Sequence, residues 1–155
     1  MHSTDELRDL YRELILDHAK SPRHFGKIDN VTHSAEGINP LCGDKLKLYL
    51  RLDDDRIEDA SFEGSGCAIS IASASLMTDT VIGKRVSEAL RFFDAVRRQL
   101  TLNHTAGART DEVDLGKIHA LEGVREFPAR VKCATLAWHA LGSALQRKST
   151  PVSTE

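Results

Sequence analysis

Three cysteines and one aspartate are the residues of this 155-residue chain that point most directly to chemistry. Cys42 and Asp44 are separated by one glycine, Cys67 follows a Gly-Ser-Gly stretch, and Cys133 lies in the last quarter of the chain. Three cysteines cannot all pair in one chain, so in a reducing compartment they are interpreted first as ligands or reactive groups. Three thiolates and a carboxylate suit tetrahedral Zn²⁺. Because a carboxylate is a harder and more easily displaced ligand, the set favours a site built to open.

The spacing alone leaves other interpretations open. The chain contains no Cys-x-x-Cys pair, and a free cysteine on an apolar stripe, as at Cys133, is often only a small buried hydrophobe. From the residues alone, a shared metal site and separate structural cysteines explain the pattern about equally well. Histidines without ligand spacing, expected at the surface or in ordinary hydrogen bonds, are His24, His33, His104, His119 and His139.

Periodicity predicts how the candidate ligands are brought together. Residues 45–52 alternate leucines with polar residues, which predicts a strand with one buried face, and 56–63 are predicted to return as its antiparallel partner. The start of one such strand lies beside the end of the other, so Cys42, Asp44 and Cys67 are expected at one end of the hairpin. Cys133 is predicted in the first turn of a final helix beginning at Pro128, where the helix dipole favours a thiolate.

The other elements follow from apolar spacing and from helix stop signals. The first helix is predicted to bury the face that carries Leu7, Leu10, Tyr11, Leu14 and Ile15. Predicted helices cover 3–20, 70–82, 86–101 and 115–121, the last of these ending at Gly123; a short strand is expected at 32–38, a polar loop at 103–114, and a polar, frayed tail from 148. Strands come early and helices late, which favours a single α+β domain over residues 1–155.

Composition excludes several classes of function. The 21 basic and 23 acidic residues give a net charge of −2, so no electrostatic footprint for nucleic acid or for an anionic membrane is expected. No apolar run approaches the roughly 20 residues that span a bilayer. The N-terminus is charged from Asp5 onward, unlike a signal peptide, and we therefore expect a cytoplasmic protein.

Four stretches of the sequence resemble the NifU N-terminal family of iron–sulfur assembly proteins, and within it the SufU type. They are YRELILDHAKSPR at 11–23, NPLCGD at 39–44, FEGSGCAISIASASL at 62–76 and FPARVKCATLAW at 127–138. Two features favour the SufU type over the IscU scaffold type. The segment between Cys67 and Cys133 looks longer, with the extra residues around 95–120. Lys132 also stands where the scaffold type carries a histidine before its last cysteine.

The resemblance implies a fold, a cofactor and a partner. The implied fold is a small antiparallel three-stranded sheet packed against several helices. SufU-type proteins bind Zn²⁺ through the positions that match Cys42, Asp44, Cys67 and Cys133. They accept persulfide sulfur from a cysteine desulfurase, a pyridoxal-phosphate enzyme. In that type the desulfurase supplies a histidine to the zinc, which frees the thiolate at the position of Cys42.

Three functional hypotheses follow. The first is a zinc-dependent, sulfurtransferase-like carrier that relays sulfur toward a downstream iron–sulfur scaffold, with Cys42 as the acceptor and Cys133 as the second choice. The second is a scaffold that builds a [2Fe–2S] cluster on the same ligands, and the third is a structural zinc adaptor. Arg130 and Lys132 are candidates for electrostatic support of a thiolate or for attracting an acidic partner loop, beside the alternative that they are ordinary solvated charges.

Overall fold

The computed structural model describes residues 2–40, 43–101, 116–146 and 152–153, and in these the helices and strands follow the predicted order. The elements are α1 (His2–Lys20), β1 (His33–Asn39), β2 (Asp44–Asp53), β3 (Arg56–Ser65), α2 (Ala68–Val81), α3 (Val86–Thr101), a 3-10 helix (Gly116–Glu126), α4 (Pro128–Leu145) and β4 (Val152–Ser153). Among the described residues, no helix combines the length and apolar character that crossing a membrane requires. The predicted loop at 103–114 lies outside the described residues, and a single domain over 1–155 stays a prediction.

The sheet has the strand order β3-β2-β1-β4. The first three strands are antiparallel neighbours, with Asn39 opposite Asp44 and Lys45 opposite Ser65. The α+β class and the three-stranded antiparallel sheet are therefore confirmed. Residues 152–153, predicted to be part of a frayed tail, instead run parallel to β1 beside Gly37 and Ile38. Pairing at this position satisfies backbone groups that the edge of β1 would otherwise leave open.

Helices α2 and α4 cover one face of the sheet. Leu46, Leu48 and Leu50 point into this layer and are buried, whereas Lys45 and Lys47 on either side of Leu46 are exposed, as strand alternation requires. Trp138 of α4 is fully buried in the same layer. Helix α1 packs on α2, and α3 packs on α4. The start of β2, the end of β3 and the start of α2 are thereby held at one edge of this layer.

The buried stripe of helix α1 differs from the predicted one at Leu10 and His18. Leu10 is 60% exposed, whereas His18, which the apolar pattern ignored, is 2% exposed. Tyr11 and Leu14 are half-buried and Ile15 is buried, so only the expectation for Leu10 was wrong among the described members of that face. The helix accommodates a polar residue in its buried stripe because the His18 ring has a hydrogen-bond partner on α2.

Most elements differ from their predicted bounds by one or more residues, among them α2 and the short helix before α4. Helix α2 begins at Ala68 rather than at residue 70, because Cys67 with its extended backbone is already the N-cap residue. The short helix before α4 does not end at Gly123 but continues to Glu126 as a 3-10 helix. Neither difference moves Asp44, Cys67 or Cys133 away from the end of the β2–β3 hairpin.

Candidate metal centre

Asp44, Cys67 and Cys133 come together although they are far apart in the sequence. One carboxylate oxygen and the two sulfurs all lie within 4.8 Å of one another. Asp44 is the first residue of β2, Cys67 caps the start of α2, and Cys133 projects from α4. The antiparallel pairing of β2 with β3 carries the chain from Asp44 back to Cys67, and α4 brings the Cys133 sulfur to the same place. The hairpin argument thus gives the observed position for Asp44 and Cys67.

Asp44 is buried and only half satisfied. Its Oδ1 accepts a hydrogen bond of 2.8 Å from the backbone N–H of Cys67, which fixes the carboxylate against the start of α2. Its Oδ2 is buried and has no hydrogen-bond partner among the described residues. A buried carboxylate oxygen without a partner is costly unless it binds a cation or takes up a proton. A metal ion bound to Asp44 Oδ2 would therefore remove this cost.

The Gly-Ser-Gly stretch before Cys67 lets the backbone pass close to Asp44. Gly66 has a φ of +155°, and a Cβ atom at this position would overlap Asp44 Oδ1 and lie 3.1 Å from Asp44 Cα. Glycine is the residue that permits both this conformation and this approach. The Gly-Ser-Gly stretch thus brings the Cys67 N–H to the carboxylate.

Cys133 lies deeper in the protein than Cys67. Its side chain is fully buried, whereas Cys67 is half-buried. Helix α4 begins at Pro128, so Cys133 is its sixth residue and lies in the second turn. The predicted position in the first turn was wrong, because a turn holds about 3.6 residues and Cys133 follows Pro128 by five. The helix dipole acts mainly within the first turn, so other groups must supply most of the stabilisation of a thiolate here.

Two side chains donate toward the Cys133 sulfur. Asn39 Nδ2 lies 3.6 Å from Cys133 Sγ, and the Asn39 side chain is 0% exposed. Arg130, one turn earlier on α4, is exposed; its hydrogen bond to Cys133 and the nearby charge of Cys67 raise the pKa of the Arg130 guanidinium. Sequence reasoning named Arg130 but missed Asn39. The available signal was the position of Asn39 at the end of a strand, three residues before Cys42.

The other residues named from the sequence are Cys42, Lys132 and the histidines. Cys42 lies outside the described residues, so its part in the site stays a prediction. Lys132 is half-buried on α4 directly before Cys133. His24 Nε2 is 3.4 Å from Asp79 Oδ1, His119 Nδ1 is 2.5 Å from Glu122 Oε2, and His139 packs edge-to-face on Phe93. Within the described part of the chain, no histidine joins Asp44, Cys67 and Cys133.

The donor set suits zinc better than a hard cation. Two sulfur ligands select zinc, copper(I) or iron–sulfur chemistry over Mg²⁺ and Ca²⁺, and the free Asp44 oxygen adds a harder third donor. A tetrahedral ion takes a fourth ligand, which the cluster of described residues does not supply. The described donors therefore fit a zinc site completed from elsewhere.

Comparison with known proteins agrees with this geometry. Residues 10–134 match the NifU-like N terminal domain family. The chain is 44% identical to the zinc-dependent sulfurtransferase SufU of Bacillus subtilis, over 92% of this chain and 93% of that one. It is 42% identical to the iron–sulfur cluster assembly scaffold protein IscU of Streptococcus pyogenes, over 93% of this chain and 87% of that one.

Solved structures show the same fold. The crystal structure of FiSufU from Fervidobacterium islandicum, described as an iron–sulfur cluster assembly scaffold protein for the SUF system, superposes with a TM-score of 0.78 at 41% identity. The alignment covers 86% of this chain and 94% of that one. The N-terminal part of a NifU-like protein from Brucella abortus gives a TM-score of 0.77 at 26% identity, over 91% of this chain and 95% of that one. On its sequence and its fold, this chain belongs to the NifU-like N-terminal domain family.

Proposed function

We propose that this protein is a zinc-dependent sulfur acceptor, which takes persulfide sulfur from a cysteine desulfurase and passes it on to iron–sulfur cluster assembly. The observation that carries the proposal is the cluster of Asp44, Cys67 and Cys133 with ligand atoms within 4.8 Å of one another. Support comes from the relative named as a zinc-dependent sulfurtransferase, which is similar over more than nine-tenths of both chains. Cys42 is proposed as the fourth ligand and as the sulfur acceptor.

The reaction needs no external oxidant or reductant. The Cys42 thiolate attacks the outer sulfur of the persulfide on the desulfurase, and a new S–S bond forms while the old one breaks. The desulfurase cysteine leaves as a thiolate, and the product is a persulfide on Cys42. Zinc bound at this centre would lower the pKa of its cysteine ligands, so that they are thiolates at neutral pH.

Burial separates the roles of the described cysteines. A persulfide on a partner protein must reach the attacking sulfur, and Cys133 is fully buried, with Asn39 Nδ2 3.6 Å from its sulfur. Cys67 is half-buried, but it starts α2 and its backbone N–H is bonded to Asp44. Both are therefore proposed as retained ligands. Arg130 is exposed beside both thiols, where its charge favours thiolates and suits contact with an acidic segment of the desulfurase.

A scaffold that builds a [2Fe–2S] cluster on the same ligands is the second candidate. It is favoured by the 42% identity to the IscU scaffold protein of Streptococcus pyogenes. Lys132 argues against it, because lysine is not a ligand for an iron–sulfur cluster at the position next to Cys133. Metal analysis of protein purified without air separates the two: zinc at about one ion per chain supports the acceptor, whereas iron with acid-labile sulfide supports the scaffold.

The cytoplasm is the proposed location, since free thiols that handle sulfur persist in a reducing compartment. Downstream, a separate iron–sulfur scaffold is proposed to receive the sulfur. Contact with nucleic acid or with a membrane is not part of the proposal, given the net charge of −2.

Substitution of Cys42 tests the acceptor role. In Cys42→Ala we expect stimulation of desulfurase turnover to fall to background and the persulfide, mapped by mass spectrometry after incubation with L-cysteine, to disappear. The fold should persist, because Asp44, Cys67 and Cys133 remain, and circular dichroism checks this. Ser34→Ala, an exposed change on β1, is the matched control and should behave as wild type. Full stimulation by Cys42→Ala would refute the assignment.

A further inference from the structure

Asn39 is a fully buried amide at the metal centre, and the function proposed above assigns it no role. It is the last residue of β1, and its Nδ2 donates to the Cys133 sulfur across 3.6 Å. Its Oδ1 is buried and has no hydrogen-bond partner among the described residues. A buried amide with one half unpartnered is a poor choice for stability alone, because an apolar residue of similar volume avoids the cost of removing the amide from water.

The sheet register places Asn39 beside a ligand. Asn39 and Asp44 are directly opposite each other at the ends of β1 and β2, so their side chains lie on the same face of the sheet. Asp44 reaches the backbone N–H of Cys67, at the start of α2. Asn39 reaches the sulfur of Cys133, on α4. Side chains of the β1–β2 pair therefore contact both cysteines that the structure describes, one at the start of α2 and one on α4.

A donor aimed at a thiolate changes what that sulfur can do. An N–H group that donates to an anionic sulfur makes a charge-assisted hydrogen bond, which fixes the sulfur's orientation and takes up electron density that would otherwise serve nucleophilic attack. Residues that orient metal ligands in this way commonly matter nearly as much as the ligands themselves. Cys133 receives this donor from the buried side, while Arg130 approaches from the exposed side.

We propose that Asn39 is a positioning residue for the metal centre, whose amide holds the Cys133 sulfur as a retained ligand that does not accept sulfur. The inference rests on the zinc site of the proposed function. It explains why a buried polar side chain occupies the end of β1, and it assigns distinct roles to the sulfurs. Cys133 is oriented and screened, so the persulfide must form on another cysteine.

Replacement by leucine tests this role, with cobalt(II) as the probe metal. In Asn39→Leu we expect Co²⁺ and Zn²⁺ to bind about 10- to 100-fold more weakly in competition with a chelator. The sulfur-to-cobalt charge-transfer band should move to longer wavelength, because loss of the hydrogen bond raises the energy of the sulfur lone pairs. Alkylation of Cys133 in the zinc-loaded protein, followed by mass spectrometry, should become faster.

The matched control is Ser61→Ala on β3. Ser61 is also buried, and its side-chain oxygen has no hydrogen-bond partner in the described part of the chain, but it lies four residues from Ser65 at the site end of that strand. This variant should bind cobalt as wild type does, with the same band. If Asn39→Leu does not fold, Asn39→Ala removes the same donor at smaller volume and should show the same band shift.

An unchanged charge-transfer band in a folded variant would overturn the inference, whether or not affinity falls, since weaker binding with unaltered sulfur electronics indicates a structural role only. Wild-type protein that binds neither Co²⁺ nor Zn²⁺ would instead refute the zinc site of the proposed function. The two failures are therefore distinguishable within one titration.

Discussion

Two buried polar clusters contact helix α2, and they differ in whether their hydrogen bonds are complete. In the first, which we call the His18 cluster (His18, Ser75 and the backbone of Arg23), Ser75 Oγ accepts from the Arg23 N–H at 2.8 Å and lies 2.6 Å from His18 Nδ1. In the second, which we call the Asp44 cluster (Asn39, Asp44, Cys67 and Cys133), the oxygens Asn39 Oδ1 and Asp44 Oδ2 are buried without partners among the described residues.

The difference separates a structural cluster from a functional one. The Ser75 hydroxyl can donate to a bare His18 Nδ1 or accept from an Nδ1–H group, so this ring nitrogen has a partner in either tautomer. Burial, reinforced by the nearby Arg23 charge, lowers the pKa of His18 and keeps the ring neutral. The His18 cluster joins the end of α1 to α2. In the Asp44 cluster, two buried oxygens can still accept a hydrogen bond or bind a cation, and a metal ion would bind one of them.

Disturbing the Asp44 cluster without removing a ligand should give the largest effect. In Gly66→Ala, the added Cβ would overlap Asp44 Oδ1 in a backbone conformation that alanine rarely adopts. We expect zinc affinity, measured by chelator competition, to fall about 10- to 100-fold, as when groups that orient a ligand are lost. Gly123→Ala is the control, because its Cβ would meet nothing within 4 Å. Wild-type affinity in Gly66→Ala would show that the close approach of Gly66 to Asp44 is not needed for metal binding.

Disturbing the His18 cluster should cost stability and leave the metal alone. Ser75→Ala removes the partner of both His18 Nδ1 and the Arg23 N–H. We expect the free energy of unfolding to fall by about 1–3 kcal/mol, because buried polar groups are left unpaired. Urea unfolding measures this effect, and the exposed Ser34→Ala change is the matched control. A loss of zinc affinity as large as that of Gly66→Ala would remove the distinction between the two clusters.

The smallest expected effect is a pH dependence that His18 carries. Its pKa in the folded protein is lowered, whereas an unfolded histidine titrates near 6.5. Below about pH 6.5 the unfolded state therefore binds the proton first, and stability falls as pH drops toward the folded pKa, by at most about 1.4 kcal/mol per pH unit for one proton. Above about pH 6.5, the titration of His18 no longer reduces the stability of the folded protein.

The measurement compares wild type with His18→Gln in urea, with a chelator present, at pH 7.5, 6.5 and 5.5. The variant should lose less stability on acidification than wild type does. Some slope should remain in both proteins, because burial also lowers the pKa of His139. Identical slopes would mean that His18 takes up its proton as readily in the folded protein as in the unfolded one.

Sequence patterns predicted most of the fold because the relevant signals are local. The alternation of Leu46, Leu48 and Leu50 with lysines specifies a half-buried strand, and Pro128 marks the first residue of α4. The bounds of α3 are those predicted, Val86–Thr101. Local signals did not foresee the pairing of residues 152–153 with β1, since no feature of two residues identifies a partner so distant in the chain.

By itself the sequence determined which residues could form the site: three cysteines, one aspartate and the glycines that permit close approach. Only the tertiary structure decided that Cys133 lies in the second turn of its helix and is fully buried, that Asn39 donates to it, and that His18 rather than Leu10 faces α2. The physical reason is that burial and hydrogen-bond partners depend on how elements pack, and the packing angle of a helix is set by contacts between residues far apart in the chain.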